Sequence, residues 1–274
     1  MSKSRILVLG RGYLGEKVAR ELGASITGRH ISSYAGAESE IKKFRPKVII
    51  NCIGVTGRRN VDDCELKKDK ALVANSFLPL ILAEVALRNK MRLVHISSGC
   101  IFHYDYSKDS PITEEDEPDF FGLFYSRTKI YSEAPLKMLS GKYPILIVRL
   151  RIPLDNKPHP RNLLTKLIKY KKVINIPNSV TYLPDFIKAL KHLIRIKACG
   201  IYNVVNKDGL FYPDLMRVYK KYVPGFDYNV VSFPKLNLVR TNLILSTRKL
   251  EKSGFKVRPI KGILEECVRE YVKY

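Results

Sequence analysis

Short apolar runs alternate with longer amphipathic stretches through the first half of the chain. The runs have the length and composition of buried strands, and the stretches carry apolar residues at helical spacing. The predicted strands are 5–9, 25–27, 47–51, 92–97 and 145–150, and the predicted helices are 13–22, 70–88 and 124–139. Strand–helix alternation of this kind predicts an α/β fold whose parallel sheet is covered by helices on both faces.

The rhythm changes around three closely spaced prolines, Pro153, Pro158 and Pro160. Clustered prolines mark a loop, so we place the domain boundary there, with one domain over 1–152 and a smaller C-terminal lobe over 153–274. Some elements of the lobe are candidates to return to the main sheet, one of them as an edge strand. The elements predicted in the lobe are 163–170, 173–176, 185–196, 201–205 and 212–222.

A glycine-rich loop joins the first predicted strand to the first predicted helix. It reads Gly10-Arg11-Gly12-Tyr13-Leu14-Gly15, which is the G-x-G-x-x-G spacing of dinucleotide-binding loops. Gly10 allows the tight turn, Gly12 lets the backbone approach a pyrophosphate, and Gly15 lets the helix pack closely on the strand. The free N–H groups at the helix start favour the phosphates. The motif predicts a Rossmann-type doubly wound parallel sheet, with an ordinary glycine turn as the alternative.

The residues after the second predicted strand bear on which dinucleotide binds. An acidic residue there favours NAD by binding the ribose 2′-hydroxyl, and an arginine suits the 2′-phosphate of NADP. The chain has Gly28-Arg29-His30 at this place, and the next acid is Glu38. The Arg29 guanidinium can bind a phosphate through its forked donors. NADPH is therefore the predicted cofactor, with NADH as the alternative and a merely solvated Arg29 as the competing interpretation.

Tyr125 and Lys129 lie four residues apart, on one face of a predicted helix. A neighbouring ammonium stabilises a phenolate and lowers the pKa of the tyrosine, so that the phenol can donate a proton to a substrate oxygen near neutral pH. Ser97 and Ser98 stand at the carboxyl end of the predicted strand 92–97, the edge at which ligands bind in such sheets. The pattern predicts Ser98, Tyr125 and Lys129 as a catalytic set.

The glycine loop, the strand-end serine and the Tyr-x-x-x-Lys helix occur in the order typical of short-chain dehydrogenases/reductases, and the chain resembles the extended branch of that superfamily. Asn51-Cys52-Ile53-Gly54 also resembles its Asn-x-x-Gly strand end, with Asn75 on the following helix. The resemblance implies that Asn51 and Gly54 line the cofactor site. It also implies that Tyr125 and Lys129 contact the cofactor, Lys129 at the nicotinamide ribose.

Four segments resemble one family within this superfamily more closely. They are 51–65, 98–105, 124–129 and 160–179, and they are similar to the plant nucleotide-rhamnose epimerase-reductases. The whole chain is similar, more distantly, to the dTDP-4-dehydrorhamnose reductases. The resemblance implies a UDP- or dTDP-linked 4-keto-6-deoxy-D-glucose as substrate and the nucleotide-L-rhamnose as product. Ser98 stands where the plant enzymes have threonine, and residues 206–274 match poorly.

Two further residues are candidates for an epimerase step. Inversion at C3 and C5 beside the keto group needs one group that removes a carbon-bound proton and another that returns a proton on the opposite face. Cys100 follows Ser98 by two residues and could serve as the base if a cation lowers its pKa. Similar epimerase-reductases pair a cysteine at this position with a basic residue of the substrate lobe, which implies Lys166. A small buried apolar Cys100 and a solvated Lys166 are the alternatives.

Arg161 and Asn162 precede Lys166 in the same segment and are predicted to bind the substrate together with Ser98 and Cys100. Arg161 can bind a diphosphate through two parallel hydrogen bonds, or it can simply lie on the surface.

Composition narrows the class of protein. The 274 residues are 45% hydrophobic and 27% charged, which is apolar enough to bury a core. No apolar run reaches the roughly 20 residues of a membrane span, and the first residues lack the layout of a signal peptide. Five cysteines without a CxxC pair argue against a disulfide framework and a metal site. We expect a cytoplasmic protein that binds no membrane and no metal.

The formal net charge of +23 is uneven, with +7 over 1–150 and +16 over 151–274. An anionic substrate, a nucleic acid or a lysine-rich solvated surface would each account for it. No nucleic-acid-reading motif accompanies the charge, so no nucleic-acid partner is predicted. A homodimer is a candidate assembly.

Alternatives to a bifunctional epimerase-reductase stay open. One is a reductase without epimerase activity, and another is a cofactor-binding regulatory subunit similar to the reductase-like subunit of methionine adenosyltransferase. The complete set of Ser98, Tyr125 and Lys129 argues against the regulatory subunit. The third is a nucleic-acid-binding protein, suggested by charge alone.

Overall fold

The computed structural model describes residues 5–57, 60–108, 110–236 and 239–274, and of residues 235 and 236 it describes the backbone. The strands are β1 Ile6–Leu9, β2 Ser25–Thr27, β3 Val48–Asn51, β4 Arg92–Ser98, β5 Ile145–Leu150, β6 Pro153–Leu154, β7 Lys172–Ile174, β8 Thr181–Tyr182, β9 Gly200–Asn203 and β10 Asn229–Val231. The helices are α1 Tyr13–Leu22, α2 Tyr34–Phe44, α3 Lys68–Leu72, α4 Leu78–Arg88, α5 Phe124–Ser140, α6 Leu163–Tyr170, α7 Leu183–Arg195, α8 Tyr212–Tyr222, α9 Arg248–Lys252 and α10 Leu264–Tyr271.

The chain divides into two compact units. The first unit contains the described residues up to Ile101 together with Pro118–Arg149 and Leu193–Tyr202, and the second contains Phe102–Glu117, Leu150–His192 and Asn203–Tyr274. A single boundary at 152/153 does not describe this division. Residues 102–117 join the second unit, where Ile112 forms a β-bridge with Leu245, and 193–202 join the first unit, where β9 forms the edge of its sheet.

The first unit is built on a six-stranded sheet in the order β2-β1-β3-β4-β5-β9. β1 pairs in parallel with β2 and with β3, and β3 pairs in parallel with β4. Successive side chains of a strand face opposite sides of the sheet. Leu7 and Ile49 lie in a cluster with residues of α2, α4 and α5, and their neighbours Val8 and Ile50 are equally buried. The sheet is therefore covered on both faces, which confirms the prediction from the alternating pattern.

Helix α3 continues through a π-helical turn, Val73–Phe77, into α4, so that Lys68–Arg88 forms one long helix. By length and composition this is the one helix among the described residues that could cross a membrane. Half of its apolar window is buried inside the protein, with Leu78, Leu82 and Val85 fully covered in the cluster under the sheet. A core helix of a soluble protein meets the same criterion.

The second unit has its own core. β6 pairs in parallel with β8, and β7 pairs in parallel with β10. Helices α6, α8 and α10 supply Leu164, Met216 and Val268 to one apolar cluster around these short strands. Arg151 is 1% exposed beneath them, and its guanidinium donates to Asn178 Oδ1 and to Thr241, which fastens the segment after residue 239 to this core.

All five strands predicted in the first half are present, with ends that differ by at most one residue. Three helices were not predicted from the sequence: α2, α9 and α10. Helix α2 buries only Ala37, Glu40 and Ile41, so its apolar face is too narrow to give a strong periodic signal, and its start depends on the Ser33 side chain, which accepts a hydrogen bond from the Gly36 N–H.

The burial of α4 predicts where the stability of the first unit is concentrated. Leu82→Ala should lower the free energy of unfolding by about 2–5 kcal/mol, because it removes a fully buried side chain and leaves a cavity. Met138→Ala on α5 is the control, since Met138 is 81% exposed and its truncation should change the free energy by less than about 0.5 kcal/mol. Equal effects in urea unfolding would contradict this packing.

Candidate active site

The glycine loop between β1 and α1 is shaped by two close backbone contacts. Gly10 has a φ of +101°, and a Cβ there would lie 2.9 Å from the backbone N of Ile53. A Cβ at Gly15 would lie 1.9 Å from the Gly10 carbonyl oxygen, so α1 can approach the loop only because this position has no side chain. Packing within the chain therefore requires the first and third glycines of the motif.

Gly12 has a different environment. It is the N-cap of α1 in extended backbone, no side chain caps the helix, and a Cβ there would meet nothing within 4 Å. Internal packing therefore does not require glycine at this position. A bare backbone before an uncapped helix start fits a pyrophosphate, which needs close approach and free N–H donors. The loop, with Arg11, Tyr13 and Leu14 beside it, can hold a dinucleotide.

Arg29 follows β2, as predicted, but its guanidinium is already engaged. Its Nη1 lies 3.2 Å from both Ser39 Oγ and Glu40 Oε1, and its backbone N–H donates to Thr27 Oγ1. Arg29 is half-exposed and Glu40 is 4% exposed, so the pair has one buried and one accessible end. The carboxylate on α2 therefore competes with any phosphate for this arginine.

Asn51 was predicted to line the cofactor site, but its amide is used inside the protein. It is fully buried, its Oδ1 accepts the Ile53 N–H at 3.0 Å, and its Nδ2 lies 3.1 Å from His95 Nδ1. Burial lowers the pKa of His95 well below its usual range, so this imidazole is neutral and accepts the bond. Asn51 thus shapes the turn toward the exposed Gly54, and its contact with the cofactor stays a prediction.

Asn75 holds the next part of the same loop. Its Oδ1 accepts the Val55 N–H at 2.8 Å, and its Nδ2 donates to the Val55 carbonyl and to Thr128 Oγ1. The neighbouring Ser76 donates to the Thr128 carbonyl oxygen. Asn75 and Ser76 lie in the π-helical turn, so this irregular turn attaches the loop after β3 to α5, the helix that carries the predicted Tyr–Lys pair.

The start of α5 is fixed by a carboxylate from another segment. Glu65 Oε1 accepts the Phe124 N–H at 2.7 Å and lies 3.8 Å from Arg127. A carboxylate at a helix N-terminus satisfies a free N–H and complements the helix dipole. The cap acts one residue before Tyr125, which is 7% exposed. Glu65 was not predicted from the sequence, because no local pattern connects it with a helix almost 60 residues further on.

Lys129 lies one turn after Tyr125 with its ammonium in the interior. It is 4% exposed, and Nζ donates to the Ile96 carbonyl oxygen of β4 at 3.4 Å. A Cβ at Gly54 would lie 3.7 Å from this Nζ, so the loop after β3 runs beside it. Burial lowers the pKa of Lys129 to about 8, while the negative charge of Glu133 opposes that shift.

Ser98 is the last residue of β4, and Cys100 follows it by two residues. Ser98 Oγ accepts the Cys100 N–H at 3.1 Å, an acceptor role that keeps the hydroxyl proton available for donation. The Cys100 carbonyl oxygen accepts from Ser126 Oγ on α5, and the Cys100 side chain packs on the cluster that contains Cys64 and Tyr125. The first unit therefore brings Ser98, Cys100, Tyr125 and Lys129 together.

The remaining predicted substrate residues belong to the second unit. Asn162, predicted to bind substrate, is fully buried: its Oδ1 caps α6 at the Leu164 N–H, and its Nδ2 donates to the carbonyls of Asp155 and Lys157. These bonds give Asn162 a structural role, and its contact with substrate stays a prediction. Its amide orders the loop from which Arg161 projects.

Lys166 and Arg161 lie in a cluster of like charges. Burial and then the charges of Arg161 and Arg240 lower the pKa of Lys166. Arg240 was not predicted as a site residue, although the sequence places it in a stretch with faint similarity to the reductases. A half-buried lysine on which two arginines act in this way lies at a position suited to an anion. Among the described residues, no group of three or more metal-ligating side chains occurs.

Residues 4–176 match the family model of the RmlD substrate-binding domain. The chain belongs to this family. It is 32% identical over 283 residues to an Arabidopsis thaliana trifunctional UDP-glucose 4,6-dehydratase/UDP-4-keto-6-deoxy-D-glucose 3,5-epimerase/UDP-4-keto-L-rhamnose-reductase, a match that covers 97% of the chain and 42% of that protein. The chain thus spans about two fifths of the length of this relative. A bifunctional dTDP-4-dehydrorhamnose 3,5-epimerase/dTDP-4-dehydrorhamnose reductase of the same plant is 31% identical over 242 residues, which cover 85% of the chain and 79% of that protein.

Solved structures share the fold of this family member. The L780 UDP-rhamnose synthase of Acanthamoeba polyphaga mimivirus superposes with a TM-score of 0.89 at 24% identity, over 97% of this chain and 99% of that one. The dTDP-4-dehydrorhamnose reductase of Bacillus anthracis, solved with NADP, superposes with a TM-score of 0.82 at 22% identity, over 100% and 99%. These likenesses confirm the predicted Rossmann-type fold, and the family match confirms the predicted resemblance.

Gly15 is tightly packed and Gly12 is not, so substitutions at the two positions should affect folding and ligand binding separately. Gly15→Ala should lower the free energy of unfolding by about 1–3 kcal/mol, because its Cβ would overlap the Gly10 carbonyl oxygen. Gly12→Ala should change it by less than about 0.5 kcal/mol but weaken dinucleotide binding, because the methyl group occupies the pyrophosphate position. Urea unfolding and fluorescence titration with NADPH measure the two effects. Unchanged NADPH affinity in the Gly12 variant would contradict this role of the loop.

Proposed function

We propose that the chain is an NADPH-dependent reductase of a nucleotide-linked 4-keto-6-deoxy sugar that also inverts the sugar at C3 and C5 before reduction. The observation that supports the reductase most strongly is the buried set of Ser98, Tyr125 and Lys129, joined by the contact of the Lys129 ammonium with β4. A hydroxyl donor at the end of β4, with a phenol and an ammonium one turn apart on α5, suits the reduction of a carbonyl group.

NADPH is the proposed cofactor. Gly10, Gly12 and Gly15 would hold its pyrophosphate at the start of α1, and Arg29 would bind its 2′-phosphate in exchange for Glu40. The structurally similar Bacillus anthracis reductase was solved with NADP, which supports this assignment. When bound, NADPH supplies the hydride for C4 of the sugar.

The protein side chains complete the reduction by handling the charge at the C4 oxygen. The Ser98 hydroxyl donates a hydrogen bond to this oxygen, and Tyr125 gives it a proton as the C4 carbonyl becomes an alcohol. The Lys129 ammonium stabilises the phenolate that remains on Tyr125 until solvent returns a proton. Proton and hydride together convert the ketone to the hydroxyl group, so the step balances.

Cys100 and Lys166 are proposed for the epimerisation. The Cys100 thiolate removes a proton from the carbon next to the keto group, Ser98 and Tyr125 hydrogen-bond the enolate oxygen, and the Lys166 ammonium returns a proton to the opposite face of the same carbon. One proton leaves and one arrives at each inverted centre, and between the two inversions Cys100 gives its proton to solvent and Lys166 takes one from solvent. Packing of Cys100 in the cluster of Tyr125 supports its part, and the 3,5-epimerase names of the plant relatives support the reaction.

The nucleotide diphosphate is proposed to bind the cations of the second unit, Arg161, Lys166 and Arg240. An arginine fork pairs with phosphate oxygens in two parallel bonds, and the mutual repulsion of the three cations decreases when an anion binds. The nucleotide is UDP or dTDP, as in the names of the plant relatives.

Turnover on a defined substrate tests the proposal. The isolated chain should oxidise NADPH with UDP- or dTDP-4-keto-6-deoxy-D-glucose and release the corresponding nucleotide-L-rhamnose. Tyr125→Phe should lower kcat by about 10²–10⁴-fold, because it lacks the proton donor. NADPH oxidation is followed by absorbance, and the sugar is identified by NMR. Turnover only after addition of a separate 3,5-epimerase would leave a reductase alone, and none with either nucleotide would refute the proposal and favour the regulatory alternative.

Cys100→Ala separates the two activities in the same experiment. It should lose deuterium uptake at C3 and C5 from D₂O by at least about 100-fold while it still reduces the pre-epimerised 4-keto-L-rhamnose nucleotide. Cys52→Ala is the control, because burial raises the pKa of the Cys52 thiol to about 12 and makes it a poor base. Unchanged deuterium uptake in the Cys100 variant would assign epimerisation to other residues or to another protein.

The Arg29–Glu40 pair predicts how the chain distinguishes NADPH from NADH. Arg29→Ala should weaken NADPH binding by about tenfold or more with little effect on NADH, since hydrogen bonds to charged groups contribute about 1.5–3 kcal/mol. Glu40→Gln should strengthen NADPH binding, because it removes the carboxylate that competes for the guanidinium. Arg20→Ala on α1, exposed and paired with Glu21, is the control. An equal loss for both cofactors in the Arg29 variant would show that Arg29 does not bind the 2′-phosphate.

A further inference from the structure

The buried carboxylate of Glu133 lies one helical turn beyond Lys129 on α5. Glu133 is 2% exposed, and its Oε1 accepts hydrogen bonds from Arg149 Nε at 2.9 Å and Nη2 at 2.6 Å. Its Oε2 accepts from Ser97 Oγ at 2.7 Å. One carboxylate therefore joins α5, β4 and β5, and every member of the group is buried.

Among the neighbours of Lys129, Glu133 is the group that stabilises the positive charge of the lysine. The groups that act on the ammonium are Glu133 from its own helix, the Cys52 thiol after β3 and the Cys64 thiol of the segment after it. Burial raises the pKa of both thiols, to about 12 and about 11, so both are neutral at physiological pH. His95 of β4 is neutral as well.

Arg149 of β5 adds a second positive charge and acts on this region through Glu133. Of the groups named, Glu133 supplies the negative charge, and it is divided between Lys129 and the guanidinium. Two cations and one anion in a low-polarity interior make the carboxylate decisive for whether the ammonium of Lys129 keeps its proton.

Glu133 also fixes distances between the reacting groups. Its bond to Ser97 holds the residue directly before Ser98, and its place on α5 is four residues beyond Lys129 and eight beyond Tyr125. A carboxylate that only neutralised Arg149 would not need the hydrogen bond from Ser97. Its two oxygens instead accept from Ser97 and from Arg149 separately.

We propose that Glu133 is a positioning residue for the reduction: its carboxylate maintains the positive charge of Lys129 and fastens the end of β4 to the helix that carries Tyr125. The catalytic part of this inference rests on the proposed function. The electrostatic part concerns the folded protein alone and is measurable without substrate.

The sign of the effect follows from the charges. Burial favours the neutral amine of Lys129, and the Glu133 carboxylate favours the ammonium. Glu133→Gln keeps the shape of the side chain but removes the negative charge and leaves Arg149 uncompensated. The pKa of Lys129 should then fall below its wild-type value. Because Lys129 assists only as the ammonium, the loss of activity with rising pH should begin at a lower pH.

The test measures the pKa of Lys129 directly. NMR of ¹³C-labelled lysine, assigned with Lys129→Met, should give a pKa lower by about one pH unit in Glu133→Gln than in wild type. The alkaline limb of kcat/KM for the 4-keto sugar should move in the same direction. Asp185→Asn breaks a comparable ion pair in the second unit, Asp185–Arg258, and should lower the melting temperature without moving either value.

A second variant covers the case in which Glu133→Gln does not fold. Glu133→Leu combined with Arg149→Met replaces the pair by apolar side chains of similar volume, an exchange that proteins often tolerate. It removes the same carboxylate and should also lower the pKa of Lys129, but by less than Glu133→Gln, because the positive charge of Arg149 is removed with it. A wild-type pKa of Lys129 in a folded variant of either kind would overturn the proposal.

The NMR and kinetic readouts also separate this inference from the proposed function. If wild type turns over neither sugar nucleotide, the proposed function fails, and the part of the inference that concerns catalysis fails with it. The pKa of Lys129 then still decides whether Glu133 maintains the charge. If wild type is active and the pKa falls in Glu133→Gln but the alkaline limb does not move, the positioning role in the reduction is wrong.

Discussion

Parallel pairing of β1, β3 and β4 is the constraint on which the first unit depends. Strands that run in one direction end at one edge of the sheet, so the residues that follow them share that edge. Gly10 follows β1, Asn51 ends β3, and Ser98 ends β4. The backbone topology therefore brings the predicted site residues to one edge of the sheet. Side-chain contacts then determine their orientation there.

The second requirement is to keep charged groups in an interior that the sheet and helices make dry. Lys129 and Arg149 are both almost completely buried, and Glu133 is the carboxylate between them. Such a group costs stability unless every polar atom is paired, which explains why Ser97 and the Ile96 carbonyl also take part. Burial makes these charged groups costly for stability, but it also strengthens their electrostatic interactions. In a low-polarity interior an ammonium stabilises a nearby phenolate more than it would in water.

Charge is arranged differently around Lys129 and around Lys166. The buried Lys129 and Arg149 have the Glu133 carboxylate between them, whereas Lys166 lies near the like charges of Arg161 and Arg240. Like charges held close in one unit cost stability and are kept where an anion repays that cost. The uneven net charge of the two halves of the sequence agrees with this difference, although most of the lysines are dispersed.

The sequence by itself determined the order of the elements in the first unit, the glycine loop and the Tyr125–Lys129 spacing, because each depends on neighbours within a few residues. Periodicity, a turn that needs Gly10, and two side chains one helical turn apart are local properties. The family resemblance extended this to Ser98 and Cys100. Tertiary structure decided the rest: Glu65 at the start of α5, the attachment of Asn75 to Thr128, the inward turn of Asn51 and Asn162, the engagement of Arg29 by Glu40, and Arg240 beside Lys166. These contacts join residues distant in sequence or turn a polar side chain inward, and no local pattern encodes which of two polar groups meets a partner and which meets solvent.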